Sequence, residues 1–365
     1  MRVVTVLGTR PEIIKLSPII RSISTRESAT SILIHTNQHY DRELDAIFFE
    51  ELNLQAPDFD LGIGTHPHGR QVGLMLAAIE EILMAHRPDV VVVQGDTNST
   101  FAGALAAAKL HIPVAHVEAG LRSFDMKMPE EVNRVMTDHI STFRFAPTPR
   151  AAGHLHAEGI TEGVYVVGNT VVDALCQHLE VASDAGKNGP WADGREYVLA
   201  TLHRDSNTDS PARLNELLTA LEQAHEVSGL DVVLPAHPRV IHRLERFGLL
   251  HRARSLSGVR ILEPMGYLEF LVALKHARVV LTDSGGVQEE ACILGVPCVT
   301  LRTSTERQET VEVGANVLAP TGPEAVAAIR TALTVQEHDW PNPFGQGDAG
   351  ERIVDLLVQE LDLAD

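Results

Sequence analysis

Short apolar runs recur along this chain and alternate with longer stretches patterned at helical spacing. Residues 3–7, 31–35, 90–93 and 114–117 are strand-length and rich in β-branched side chains, whereas 11–24, 71–86 and 99–110 place apolar residues on one helical face. Strand alternating with helix is the signature of a parallel sheet wrapped by helices. The rhythm resumes in the second half with strands expected at 197–202, 231–235, 279–281 and 298–301, which predicts a second parallel sheet. Between the halves, a loop at 184–194 is dense in Gly, Pro, Asn and charge. The expected domains are 1–170, joined by a C-terminal helix within 349–365, and 171–348.

Open parallel sheets bind ligands outside the carboxyl ends of their strands, so the residues just after each run carry most weight. They are Gly8-Thr9-Arg10, Gln94-Gly95-Asp96, Glu118-Ala119-Gly120-Leu121-Arg122, His203-Arg204, His237-Pro238-Arg239 and Asp283-Ser284-Gly285-Gly286. The last is the most informative. An apolar strand runs into a Ser-Gly-Gly turn that opens a helix, and bare backbone N–H groups there, with the helix dipole behind them, make an anion site that two glycines leave open to a diphosphate. The turn after the first strand is related: Pro11 suits a first helical position, and Arg10 and Lys15 flank it.

Several carboxylates accompany these turns. Asp96 precedes a helix and reads equally as an N-cap or as a functional acid. Glu118 ends a strand before a Gly-Leu-Arg turn, where an ionised carboxylate is partnered or functional. Glu130 and Glu131 follow Pro129 and read locally as first-turn residues favoured by the dipole. His203 reads as a satisfied core group or a donor to a leaving phosphate, its strand-end position favouring the second.

Composition narrows the choices. With 365 residues and 44% apolar content the chain can bury two ordinary cores. A formal charge of -19 argues against nucleic acid or an anionic membrane as partner. No apolar run approaches the ~20 residues of a membrane span, and the N-terminus enters a strand directly, so a cytoplasmic protein is expected. Cys176, Cys292 and Cys298 lack paired spacing and read as buried, reduced and idle. His66 and His68 sit in a Gly-Pro-His loop without a metal-binding partner pattern, so no metal is expected. No dinucleotide fingerprint follows the first strand and no P-loop occurs, so no redox cofactor is expected. Donors for a diphosphate in one half and carboxylates in the other fit a nucleotide-sugar enzyme.

The motifs that carry these residues resemble a known family. Gly8-Thr9-Arg10-Pro11-Glu12, Gln94-Gly95-Asp96-Thr97, the segment from His116 to Arg122, that from Pro129 to Arg134, Gly168-Asn169-Thr170-Val171-Val172-Asp173 and the segment from Thr282 to Glu290 together look like non-hydrolysing UDP-N-acetylglucosamine 2-epimerases. The resemblance implies a GT-B fold, two Rossmann-like α/β/α domains with the active site in the cleft between them. It also implies a homodimer, no cofactor, and interconversion of UDP-N-acetylglucosamine and UDP-N-acetylmannosamine for cell-surface polysaccharide synthesis. Carried over by motif, Ser284, Gly285 and Gly286 would hold the diphosphate, Glu290 the ribose and Phe270 the uracil side. Arg10, Lys15, His203 and Arg307 would surround the phosphates and sugar, and Asp96, Glu118 and Glu130 would be the acid–base groups.

Two departures stand out. His203-Arg204-Asp205-Ser206-Asn207 lacks a Glu that many members carry after the histidine, and the usual Arg-Pro-Glu reads Arg307-Gln308-Glu309. Leu121-Arg122-Ser123-Phe124 and Gly266-Tyr267-Leu268-Glu269 also resemble a sister branch acting on UDP-2,3-diacetamido uronic acid sugars. A GT-B glycosyltransferase, a hydrolysing epimerase and a silent nucleotide-sugar sensor are the other readings, the last opposed by the intact carboxylates.

Overall fold

The computed structural model describes residues 1–38, 49–50, 52–182, 194–334 and 339–362. The breaker-rich loop expected at 184–194 lies outside these residues except for Gly194. The chain forms two compact units, Met1–Cys176 with Phe344–Asp365, and Gln177–Pro343.

In the first unit, strands β1 (Arg2–Leu7), β2 (Thr30–His35), β3 (Phe59–Asp60), β4 (Val90–Gln94), β5 (Val114–Val117), β6 (Phe143–Ala146) and β7 (Val164–Val166) form one sheet in the order β3-β2-β1-β4-β5-β6-β7. Every pairing is parallel. Val4, Val6, Val91 and Val93 pack with Met75, Ile79 and Leu83 of the helix His68–His86 and with the alanines of Asn98–Lys109. Val3, Leu7, Val90 and Val92, of opposite parity, are also fully buried. Burial on both faces explains why these strands read as unbroken apolar runs. The helix Ala349–Asp362 packs on Arg10–Ser24 so closely that a Cβ on Gly350 would sit 2.7 Å from Pro18 Cβ, a separation only glycine permits.

The second unit carries β8 (Tyr197–Thr201), β9 (Asp231–Pro235), β10 (Val259–Leu262), β11 (Val279–Thr282), β12 (Cys298–Thr300) and β13 (Asn316–Leu318), again parallel, in the order β10-β9-β8-β11-β12-β13. Val198, Ala200, Val232, Leu234, Val279 and Leu281 meet Leu214, Leu217, Leu218 and Leu221 of the helix Pro211–Ser228 in its core.

Four strands were expected in each half, and the structure adds β3, β6, β7, β10 and β13. The additions are short, β3 having two residues and β7 three, or broken by arginine as in β6 and β10, so no sustained apolar run announces them. Cys292 and Cys298 are buried, and burial pushes both thiols up to about 12. Cys176 corrects the expectation of three buried cysteines: it is exposed, on the solvent side of a helix whose Val172, Ala174 and Leu175 face inward. His68 opens the helix His68–His86 instead of lying in a loop. Among the described residues no helix is long and apolar enough to cross a membrane, and no group of three or more His, Cys, Asp or Glu could hold a metal ion.

Candidate active site

Each sheet reverses its winding once, between β1 and β4 in the first unit and between β8 and β11 in the second. At such a switch point the connections leave in opposite directions and open a crevice at the carboxyl edge. Arg10 and Asp96 follow the two strands of the first switch point, and His203 and Ser284 those of the second.

In the first unit a buried carboxylate named in the sequence only as part of a turn motif, Glu12, joins the two turns. It accepts hydrogen bonds from Gly8 N and Thr9 Oγ1 after β1, both at 2.9 Å, and from Thr97 Oγ1 at 2.6 Å and Thr100 Oγ1 at 3.0 Å after β4. Burial pushes Glu12 above the usual carboxylate range, with these four donors opposing. Gly8 is glycine for lack of space, since a Cβ there would lie 2.0 Å from Thr36 Oγ1 and 2.2 Å from Ser99 Oγ.

Asp96 is not the helix cap. Thr97 is, its side chain accepting from Thr100 N. Asp96 instead pairs with Arg134, is 32% exposed, and has its backbone carbonyl bound by Asn133 Nδ2 at 3.0 Å. Both partners lie on the helix Pro129–Ile140, so this contact brings the helix carrying Glu130 to the same edge. On its first turn the two glutamates divide: Glu131 is buried and accepts from Ser123 N, Phe124 N and Arg134 Nη1, while Glu130 is exposed. Both stand in the first turn as expected, and only Glu131 is also bound there by hydrogen bonds from the preceding loop.

Glu118 sits just past β5 with φ at 66°, a left-handed conformation costing a non-glycine residue about 1 kcal/mol or more. Its side chain is 4% exposed and accepts from Lys15 Nζ at 2.6 Å, from Asn169 Nδ2 at 3.1 Å and from Gln94 Nε2. Lys15, expected near phosphates, is thus held by this carboxylate. Donors from three elements and an unfavourable backbone together fix one orientation of the carboxylate, as a proton-transfer group requires.

In the second unit Asp283, given no role of its own by the turn motif it opens, organises the candidate site. Fully buried, it accepts from His203 Nδ1 at 2.8 Å, from the backbone N–H of His203 and Arg204 at 3.1 Å, and from Asn207 Nδ2 at 3.0 Å. Burial pushes its carboxyl up, but the His203 and Asn207 bonds, the His203 charge and the Arg204 N–H outweigh that and hold it below the ordinary range. The bond to Nδ1 aims His203 Nε2 away, and the side chain is 51% exposed. The imidazole is therefore oriented and accessible.

Ser284 caps the helix Gly285–Ile293 without a side-chain bond to it. A Cβ on Gly285 would stand 3.5 Å from Glu306 Oε1, and one on Gly286 would meet nothing within 4 Å among the described residues beyond its chain neighbours and its own helix. Neither glycine has a positive φ, so their value lies in open space over the helix N-terminus. Glu306 is bound by Arg204 Nη2 at 3.1 Å and Arg302 Nη2 at 2.8 Å, and Arg307 Nε lies 3.1 Å from Glu289. Glu290 is buried, and burial followed by its charge raises Tyr267 well above the ordinary phenol value. Phe270 lies one turn beyond Tyr267 on the helix Tyr267–His276, on the same face.

Burial pushes Glu306 up, but the charges of Arg302 and Arg307 and the Arg302 hydrogen bond hold it at about 2. A carboxyl depressed from 4.5 to about 2 contributes about 3 kcal/mol above pH 4.5 and loses it as pH falls toward 2, because the unfolded chain takes up the proton first. Urea unfolding of the wild type and of Glu306→Gln is therefore expected to show a stability gap that narrows across that window. A constant gap would contradict the ion-pair account.

Comparison with known proteins identifies the family and the fold. The family model described as UDP-N-acetylglucosamine 2-epimerase matches residues 21–358. A UDP-N-acetylglucosamine 2-epimerase of Methanocaldococcus jannaschii is 52% identical over 364 residues, 98% of this chain and 99% of that one. A UDP-2,3-diacetamido-2,3-dideoxy-D-glucuronate 2-epimerase of Pseudomonas aeruginosa is 42% identical over 98% of this chain and 100% of its own. A crystal structure of the M. jannaschii UDP-GlcNAc 2-epimerase in complex with UDP-GlcNAc and UDP matches with a TM-score of 0.88 at 50% identity, covering 98% of this chain and 100% of that one. The fold is GT-B-like, built of two Rossmann-like α/β units. On sequence, fold and family match together, the chain belongs to the UDP-N-acetylglucosamine 2-epimerase family.

Proposed function

We propose that this chain is an isomerase that interconverts UDP-N-acetylglucosamine and UDP-N-acetylmannosamine by eliminating UDP and adding it back. The observation that carries the reading is the pair of switch-point edges: an open Ser-Gly-Gly helix start with an Asp283-oriented histidine on one unit, and the rigidly held Glu118 beside Asp96 on the other. The proton on carbon 2 of the sugar is not acidified by a carbonyl. As the bond from carbon 1 to UDP lengthens, positive charge grows on the ring, a carboxylate removes the proton, and 2-acetamidoglucal and UDP result. Ser284, Gly285 and Gly286, with Arg10, His203 and Arg307, would neutralise the leaving diphosphate, Glu290 and Phe270 would hold the nucleoside, and Lys15 would act through Glu118. Re-addition with a proton delivered to the opposite face gives the epimer. Asp96, Glu118 and Glu130 supply carboxylates for the two proton transfers.

A homodimer in the cytoplasm, feeding polysaccharide synthesis, is the setting the family resemblance supports, and the charge of -19 supports a partner list without nucleic acid. The second reading, a UDP-2,3-diacetamido uronic acid substrate, is favoured by the 42% identity to the P. aeruginosa enzyme and ranks behind the 52% match. Proton NMR with UDP-N-acetylglucosamine in deuterated water, with no metal or nicotinamide added, is expected to show UDP-N-acetylmannosamine carrying deuterium at carbon 2. Free N-acetylmannosamine with UDP would mean the hydrolysing reaction. An unchanged spectrum despite binding would shift the reading to the uronic acid sugar or to glycosyl transfer.

A further inference from the structure

We propose that His116 is held as a doubly protonated imidazolium and is a positioning residue, locking the segment that carries Asp96 to the strand that carries Glu118. The argument is one of donors and acceptors. His116 lies on β5 with a fully buried side chain, its Nδ1 2.7 Å from Asp138 Oδ1 and its Nε2 2.8 Å from the backbone carbonyl of Gly95. A carbonyl oxygen and a carboxylate both accept, so each ring nitrogen must donate, and only the cation has two N–H groups. Asp138 has no proton with which to reverse the first bond, because its carboxylate is ion-paired through Oδ2 with Arg122 Nη1 at 2.6 Å, where Gly120 N also donates at 3.1 Å, and that guanidinium favours the ionised form.

The surrounding charges allow a buried cation. Arg122 bridges onward to Glu158 through Nε at 2.7 Å and Nη2 at 2.6 Å, so His116, Asp138, Arg122 and Glu158 sum to zero only when the imidazole is charged. Arg144, whose Nε donates to the backbone carbonyl of Asp138 at 2.6 Å, adds a partly solvated positive charge that opposes it, and Glu118 follows two residues along the strand. Burial raises the Asp138 carboxyl, but His116 and Arg122 outweigh it and hold the group ionised.

The consequence is mechanical. Gly95 precedes Asp96, and its own N–H bonds Val117 O at 3.0 Å, so the Nε2 bond doubles the tie between the ends of β4 and β5. Through Asp138 the same imidazole is tied to Gly120, on the far side of Glu118. Loss of the tie frees two reacting carboxylates to drift, and a misplacement near 1 Å can cost about 10²-fold in rate.

The test has two arms, and only the kinetic one rests on the epimerase reading. In the full chain with 15N-labelled histidine at about pH 7.5, where free imidazole is mostly neutral, the His116 ring, assigned from its own backbone, is expected to show two protonated nitrogens. One bare nitrogen would overturn the proposal whether or not any variant folds. In kinetics, His116→Gln and Asp138→Asn are expected to lower kcat on the order of 10²-fold with KM within a few-fold. A lower thermal midpoint with kcat unchanged would mean a merely structural residue and would overturn the positioning role.

Discussion

Glu118→Gln is expected to lower the epimerisation rate on the order of 10³-fold while UDP binds within a few-fold of the wild type. Glutamine keeps the length and shape of the side chain, and the left-handed backbone at 66° is imposed by the turn, so the variant carries the same strain as the parent. What it loses is proton affinity and the charge facing Lys15 Nζ at 2.6 Å. Lys15, Gln94 and Asn169, which donate to this carboxylate, lie in the first unit, and none of them belongs to the Ser-Gly-Gly turn of the second. Steady-state epimerisation and UDP titration calorimetry on one preparation would separate the two effects. Full activity would remove Glu118 from the chemistry, and a joint loss of UDP affinity would mean that it serves binding instead.

The second large effect is expected at Gly286. A valine there should weaken UDP binding on the order of 10²-fold, about 3 kcal/mol, with little change in unfolding free energy. Among the described residues, nothing beyond its chain neighbours and its own helix lies within 4 Å of where the Cβ would be, and the residue has ordinary helical backbone, so the fold does not resist a valine, which is if anything the better helix former by a few tenths of a kcal/mol. The cost arises only when a diphosphate approaches the bare N–H groups. Ser284→Ala provides the contrast, since that side chain makes no capping bond and its removal leaves the backbone donors in place. Calorimetry with UDP beside urea unfolding decides the matter. Unaltered affinity in Gly286→Val would move the diphosphate off this turn, and a large loss of stability would mean that the glycine is structural.

Much of this site was legible beforehand because strand ends in a parallel sheet are where polar residues interrupt apolar runs. Asp96, Glu118, His203 and Ser284 were found that way, and the structure places each at a carboxyl edge. Glu130 is different: nothing local distinguished it from Glu131, and only the burial of one and the exposure of the other separates them. Glu12 and Asp283 stood only as parts of turn motifs, with no role of their own, because a helix-starting Pro-Glu and a strand-ending Thr-Asp are ordinary by themselves. Their importance lies in partners 85 and 80 residues away, Thr97 and His203.

By itself the sequence determined the alternation of strand and helix, the two α/β halves and the chemistry at the strand ends, since those follow from side-chain period, chain stiffness and the conformational freedom of glycine. Strand order was decided only by the tertiary structure. Which strands flank each switch point, that His203 meets Asp283 across one of them, and that His116 bonds both Gly95 and Asp138 depend on how runs distant along the chain lie side by side. Periodicity says which face of a strand is buried; which strands become neighbours is chosen by the shared core that closes over both faces of each sheet.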